Sequence, residues 1–140
     1  SDEEIGFKTH FDLPEFSFDV HTSFYLSYYH PSYLNSASIS IFGTDNFRNI
    51  GSLHLEVNED PMPSLSPDER GVMWQQFDYK NHLAYRDPNT WETYIDYGNQ
   101  FAHIYFQNEP TPYAISNTLM FKMLLESFEV KDGLNVKTKI

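Results

Sequence analysis

The chain contains no cysteine, and this absence removes several kinds of chemistry at once. Disulfides, thiol nucleophiles, thiolate zinc sites and iron–sulfur clusters all require cysteine. The cellular compartment stays open, because exported bacterial proteins also manage without cysteine. Stability must therefore come from an apolar core, which 140 residues can supply, since a domain of about 150 residues buries roughly 70% of its unfolded surface.

Long apolar runs are also lacking. No segment approaches the roughly 20 apolar residues that a membrane-spanning helix needs, and no signal peptide is recognisable. The chain opens with Ser1-Asp2-Glu3-Glu4 and not with methionine. We interpret this start as a trimmed or mature form from which a leader has been removed. On that hypothesis the natural protein is exported, and we predict a periplasmic or lipoprotein-anchored location.

Positive charge is scarce. Nine Lys and Arg face 20 Asp and Glu, which gives a net charge of −11. The excess lies in residues 1–110, which hold 17 acidic and 5 basic side chains, whereas residues 111–140 hold 3 and 4. This distribution disfavours nucleic acid and anionic membranes and favours a protein partner with a basic surface. The alternative is that the acidity only keeps the protein soluble.

Alternating apolar residues predict strands in the first half of the chain. Phe16, Phe18 and Val20 alternate with polar residues, and the same period recurs in three further segments. His30-Pro31 is expected to end the second strand, because proline interrupts the hydrogen-bond ladder. The predicted strands cover residues 16–20, 23–29, 38–42 and 51–57.

Two helices and a meander are predicted in the second half. Residues 66–69 read Ser-Pro-Asp-Glu, a capping box that favours a helix running through Phe77. Residues 82–107 read as a three-stranded meander, with a central last strand covered on both faces. Apolar residues at three- and four-residue spacing predict a helix over 113–128. A short strand end is expected at Glu129-Val130.

These elements define an α+β fold: a mostly antiparallel sheet of about six or seven strands covered by two helices. We expect one domain over residues 11–131. Residues 1–10 are predicted to be a flexible N-terminus, and residues 132–140 a polar C-terminal tail.

Motifs for catalysis or metal binding are absent from the sequence. The six histidines follow no H-x-H or H-E-x-x-H spacing, and neither G-x-S-x-G nor S-x-x-K occurs. The oxygen-rich segment 56–60 lacks the glycine-containing loop of an EF-hand. We therefore predict no catalytic residue, no metal site, no cofactor and no enzymatic activity. The histidines, with carboxylates such as Glu92 and Asp96, keep open the alternative of a small hydrolase with an unrecognised site.

The candidate binding residues are aromatic or acidic. Four tyrosines lie around His30-Pro31, and three carboxylates lie near or just after the end of the fourth predicted strand. Tyrosine anchors protein interfaces, and acidic side chains match a basic partner. We predict that this partner-binding set comprises Tyr25, Tyr29, Tyr33, Glu56, Glu59 and Asp60. A carbohydrate-binding module that stacks sugars on tyrosine and tryptophan is a second hypothesis.

Three features of the chain occur together: the opening segment 16–20 followed by His30-Pro31, the predicted capped helix at Ser66, and the closing segment 121–130 with its Ser-Phe pair. In these features the chain resembles the PsbP-like (DcrB-like) α/β/α sandwich superfamily. The resemblance would span residues 11–131. It implies a binding scaffold without shared catalytic residues, as in photosystem accessory subunits, bacterial lipoproteins and the immunity or chaperone proteins of toxin secretion systems. The sharpest expectation is an immunity protein that neutralises a secreted toxin.

Overall fold

The computed structural model describes residues 8–21, 24–33, 36–45, 48–67, 71, 73–106 and 114–131. Side-chain surroundings are described for residues 8–20, 53–67, 71, 73–105 and 121–131. In chain order the elements are β1 (Lys8–Asp12), β2 (Phe16–His21), β3 (Phe24–Tyr33), β4 (Ser36–Asp45), β5 (Arg48–Asn58), β6 (Gln75–Tyr79), β7 (His82–Arg86), β8 (Thr93–Asp96), β9 (Phe101–Phe106), α1 (Ala114–Ser127) and β10 (Glu129–Val130).

The strands form two antiparallel sheets. The small sheet has the order β1-β2-β10, and the large sheet has the order β3-β4-β5-β9-β8-β7-β6. In the large sheet β9 is the central strand, and β3 and β6 are its edges. The meander β7-β8-β9 was predicted correctly, but the pairing of β5 with β9 joins segments far apart in sequence.

The core lies between the large sheet, helix α1 and β2. Phe16, Phe18 and Val20 of β2 are fully buried, as the period-two pattern predicts. Phe16 packs against Phe128 with ring centroids 5.7 Å apart. Each such side chain contributes roughly 1.5–3 kcal/mol through burial. The large sheet supplies Leu53, Leu55, Val57, Ala84, Ile95, Ala102 and Ile104.

The C-terminal end of α1 is tied to both sheets by hydrogen bonds. The backbone N–H of Asp19 in β2 donates to Ser127 Oγ at 2.7 Å. Tyr79 in β6 places its hydroxyl 2.5 Å from the carbonyl of Leu125 and 2.9 Å from that of Phe128. The last carbonyls of a helix have no partner within the helix, so these contacts fix both the helix end and the edge of the large sheet.

The mixed α+β class and the antiparallel pairing agree with the sequence prediction, but the finer arrangement differs. The predicted single sheet is divided into two. The described residues contain one helix, Ala114–Ser127, close to the prediction over 113–128. The predicted helix from Ser66 through Phe77 is wrong, because residues 73–74 are not helical and Phe77 lies in β6.

Two further boundaries differ from the prediction. Strand β3 continues through His30-Pro31, where a register shift lies between His30 and Tyr33. Proline is tolerated there because β3 is an edge strand with an irregular ladder. Strand β1 begins at Lys8, so the last residues of segment 1–10 belong to the small sheet. Residues 1–7 and 132–140 lie outside the described residues.

Candidate functional site

The strand registers determine which side chains share the surface of the large sheet that faces away from α1. Leu55 and Val57 of β5 point into the core, so His54 and Glu56 point outward. Glu56 pairs with His103 on β9, and His103 pairs with Tyr94 on β8. We name this surface the outer face; its described residues include His54, Glu56, Leu83, Tyr85, Tyr94, Asp96, Phe101, His103 and Tyr105.

His103 lies at the centre of the outer face, between two carboxylates. Its Nδ1 is 3.1 Å from Glu56 Oε1, and its Nε2 is 2.6 Å from Glu92 Oε2. The Tyr94 ring stacks on the imidazole at 4.1 Å between centroids with an interplanar angle of 8°. Tyr105 lies at 4.5 Å with an angle of 29°. We call these five residues the His103 cluster.

The geometry favours the charged form of His103. A carboxylate accepts hydrogen bonds, so each ring nitrogen of His103 must donate one, and only the imidazolium carries two N–H groups. Burial alone would lower the pKa of His103, but the hydrogen bonds to Glu56 and Glu92 outweigh it and raise the pKa above its usual value. The tyrosine rings on either side also favour a cation at this position.

The pKa values of the residues next to His103 are shifted as well. The hydrogen bonds from His103 and then His54 lower the pKa of Glu56 to about 2, against the opposing effect of burial. His54 Nε2 is 3.8 Å from Glu56 Oε2. Burial raises the pKa of Tyr94 to about 12, and the negative charge of Glu92 adds to this shift. The cluster therefore holds one imidazolium and one strongly ionised carboxylate beneath neutral phenols.

Larger apolar groups lie at the border of the outer face. Leu83 on β7 is 49% exposed, and Met73, which precedes β6, is 68% exposed. Trp74 packs edge-on against Tyr94 with centroids 5.5 Å apart, and its indole N–H donates to the carbonyl of Ser66 at 2.8 Å. The segment before β6 thus brings a tryptophan to the surface that the tyrosines occupy.

The outer face is acidic as well as aromatic. Among its described side chains there is no lysine or arginine, and its one cation, His103, is already paired with carboxylates. No three His, Asp or Glu side chains among the described residues are placed to hold a metal ion. Both ring nitrogens of His103 are engaged, so this histidine has no free lone pair with which to act as a general base.

The predicted binding residues are only partly brought together. Glu56 belongs to the His103 cluster, whereas Asp60 is exposed beyond the end of β5. Glu59 is half-buried, and its Oε1 has no hydrogen-bond partner among the described residues.

The three predicted tyrosines all lie in β3, two strands away from β5. Tyr25, Tyr29 and Tyr33 pair in register with Phe42, Ile39 and Ser36. Register shifts separate them, so they do not occupy equivalent positions in the ladder. Their side chains lie outside the described residues.

The period-two alternation in the sequence puts His54 and Glu56 on one face of β5, and His103 and Tyr105 on one face of β9. The sequence does not indicate that these two faces are the same surface, because no local signal marks the β5–β9 pairing. Glu92 was named only as a carboxylate of the hydrolase alternative, and its contact with His103 was not predicted; it lies in the loop just before β8. The sequence feature that could have indicated this site is the alternation of aromatic and charged residues along these strands.

Comparisons with known proteins add no relative: no family model, no curated protein and no solved structure matches the chain. Within the described part of the chain, no helix is both long enough and apolar enough to cross a membrane.

Proposed function

We propose that this chain is a non-catalytic protein-binding domain that presents the outer face of its large sheet to a partner with a basic surface. The supporting observation is the composition of that face: tyrosines, an exposed leucine and carboxylates, with no lysine or arginine among its described side chains. Aromatic anchors give affinity, and an excess of negative charge selects a positive partner. The net charge of −11 extends the same attraction over the whole molecule.

The His103 cluster supports this proposal because it makes the outer face rigid. Stacked rings and paired carboxylates hold Tyr94 and Tyr105 in place before any partner arrives. A surface that is ordered in advance loses little conformational entropy on binding. The engaged nitrogens of His103 also favour a structural role for this histidine over a catalytic one.

The sharpest form of the proposal is an immunity protein that neutralises a secreted bacterial toxin, or else an exported accessory lipoprotein. It rests on the small size, the acidity and the resemblance to PsbP-like domains. A periplasmic or membrane-anchored location belongs to the same proposal. Co-expression with the toxic product of a neighbouring gene would test it, since an immunity protein restores growth.

Carbohydrate binding is the second candidate. Trp74, Tyr85 and Tyr94 are half-buried and lie on or beside the outer face, next to carboxylates. Sugars stack on aromatic rings and accept or donate hydrogen bonds at such surfaces. A glycan array that gives saturable binding lost in Trp74→Ala would favour this function over protein binding.

The protein-binding proposal is tested with one variant on the outer face and one beyond the end of β5. Leu83→Arg places a charge on an exposed apolar site, and Asp60→Lys reverses an exposed acidic site. The wild-type domain is used as bait, and a captured basic protein is then purified and titrated. We expect each variant to weaken binding by about tenfold and the dissociation constant to rise with salt.

Glu129→Lys is the matched control, because Glu129 is exposed on the small sheet. This variant should bind as tightly as the wild type. The proposal fails if Leu83→Arg and Asp60→Lys bind like Glu129→Lys, or if no captured protein binds saturably after purification.

A further inference from the structure

A second surface feature lies on the opposite side of the large sheet, at its β6 edge. The β6–β7 hairpin, the β7–β8 loop and helix α1 line a cavity of about 480 Å³ that is open to solvent. Phe77, Trp91 and Leu125 form apolar walls, and Lys80, Arg86 and Lys122 bring three cations to it. Cavities of roughly 300–1,000 Å³ hold small organic ligands.

Arg86 is anchored inside this cavity by aromatic rings. Its guanidinium carbon lies 4.5 Å from the Trp91 ring centroid and 5.2 Å from that of Phe77. Among the described residues no carboxylate or carbonyl pairs with this guanidinium. The stacking holds the group in one place and leaves its N–H donors available, and a guanidinium matches a carboxylate with two parallel hydrogen bonds.

The wall residue Trp91 is held in an unusual conformation. Its φ of 66° lies in the left-handed region, which bulky residues rarely adopt. The loop supports this conformation: Trp91 N–H donates to the Asp87 carbonyl at 2.9 Å, and Thr93 Oγ1 donates to the Trp91 carbonyl at 2.7 Å. Strain that the surrounding bonds maintain is common at binding sites. Here it places the indole ring beneath Arg86.

The charge at this cavity differs from that of the molecule. Three cations and two carboxylates, Asp78 and Glu126, line it, so the local balance is positive within a chain of net charge −11. Lys80 Nζ donates to the carbonyl of Phe128 at 3.1 Å. Lys122 has no partner among the described residues. The cavity therefore offers an anionic ligand cations that form no ion pair among the described residues.

We propose that this cavity is a binding site for a small aromatic carboxylate. The ring of the ligand would pack on Phe77, Trp91 and Leu125, and its carboxylate would receive two hydrogen bonds from Arg86. Lys122 would add charge at the rim. This site is independent of the outer face, which belongs to the other side of the sheet.

The test compares two probes of equal shape. 3-Phenylpropanoate and its neutral amide are titrated into the Trp74→Phe variant, in which Trp91 is the remaining tryptophan, while the indole N–H signal of Trp91 is followed by NMR. We expect saturable binding of the acid at least about tenfold tighter than that of the amide. Acetate and inorganic phosphate should bind weakly, because they lack the apolar body.

Point variants test where the carboxylate of the ligand binds. Arg86→Gln should weaken 3-phenylpropanoate by about tenfold, and Glu126→Gln should tighten it by removing a repulsive charge. Lys131→Gln is the matched control, since Lys131 pairs with Asp12 away from the cavity. Equal binding of acid and amide, an unchanged affinity in Arg86→Gln, or no shift of the Trp91 signal would each overturn the proposal. The acid–amide comparison needs no change at Arg86, so it decides even if Arg86→Gln unfolds.

Discussion

The imidazole of His103 is held from four directions, by two carboxylates near its plane and two phenol rings against its faces. Each contact favours the charged ring. A buried cation that is fully paired is stable, whereas removal of one partner leaves a costly unpaired charge. The identity of residue 103 therefore controls the electrostatics of the whole outer face.

We predict that His103 remains an imidazolium at neutral pH. The hydrogen bonds to Glu56 and Glu92 raise its pKa, so its ring should keep both protons at a pH where an unperturbed imidazole has largely lost one. Nitrogen-15 NMR of the imidazole groups at pH 7.5 distinguishes the two states. A neutral ring at position 103 at that pH would contradict the assigned hydrogen bonds.

The stability that the cluster contributes should depend on pH in a defined window. The pKa of Glu56 is lowered from 4.5 to about 2, so its contribution is present above about pH 4.5 and is lost as pH falls towards 2. The pKa of His103 is raised from 6.5, so its contribution is complete below about pH 6.5 and is lost as pH rises through the folded pKa. Both are present between these limits.

His103→Phe tests this window, because it keeps an aromatic ring between the tyrosines but removes the charge. We expect the free energy of unfolding to fall by about 1.5–3 kcal/mol at pH 5.5, measured in urea. The loss should shrink at pH 3 and at pH 9. His10→Phe is the control: His10 pairs with Asp19 but is 60% exposed, and surface pairs contribute at most about 1 kcal/mol.

At the scale of elements, sequence patterns correctly predicted those strands and the helix that depend mainly on local interactions. Alternation located β2 and the meander, and three- and four-residue spacing located α1 within a residue at each end. The helix at Ser66 failed because its capping signal was local, whereas Gln75–Tyr79 gains a full antiparallel ladder with β7. The pairing of β6 with β7 outweighs the local helix preference that the capping signal provides. The β5–β9 pairing and the link from Ser127 to Asp19 have no local signal either.

The turn between β6 and β7 allows a direct test of this hairpin. Lys80 and Asn81 have φ values of 49° and 69°, as a two-residue type I′ turn requires. Asn81→Gly should raise the free energy of unfolding by about 0.5 kcal/mol, because glycine adopts this conformation without steric cost. Thermal or urea unfolding measures the change.

Asn89→Gly is the matched control, because Asn89 is also an exposed turn residue but is not among the described residues with positive φ. It should leave stability unchanged or lower it. Stabilisation by Asn89→Gly and not by Asn81→Gly would contradict the hairpin geometry.

At the scale of the whole molecule, the two sides of the large sheet differ in charge and in shape. The outer face is acidic and aromatic, whereas the edge beside α1 holds a cavity lined by cations. Composition alone predicted an acidic binding domain but could not separate these surfaces. Their separation depends on which strands are neighbours, and that is a property of the folded chain.

The central claim is that a partner covers the outer face, and hydroxyl-radical footprinting of the purified complex tests it most directly. Met73 and Leu83 are 68% and 49% exposed and should lose oxidation when the partner is bound, while Phe11 on the small sheet should be oxidised equally in the free and bound states. Protection of Phe11 with unchanged oxidation of Met73 and Leu83 would contradict the account.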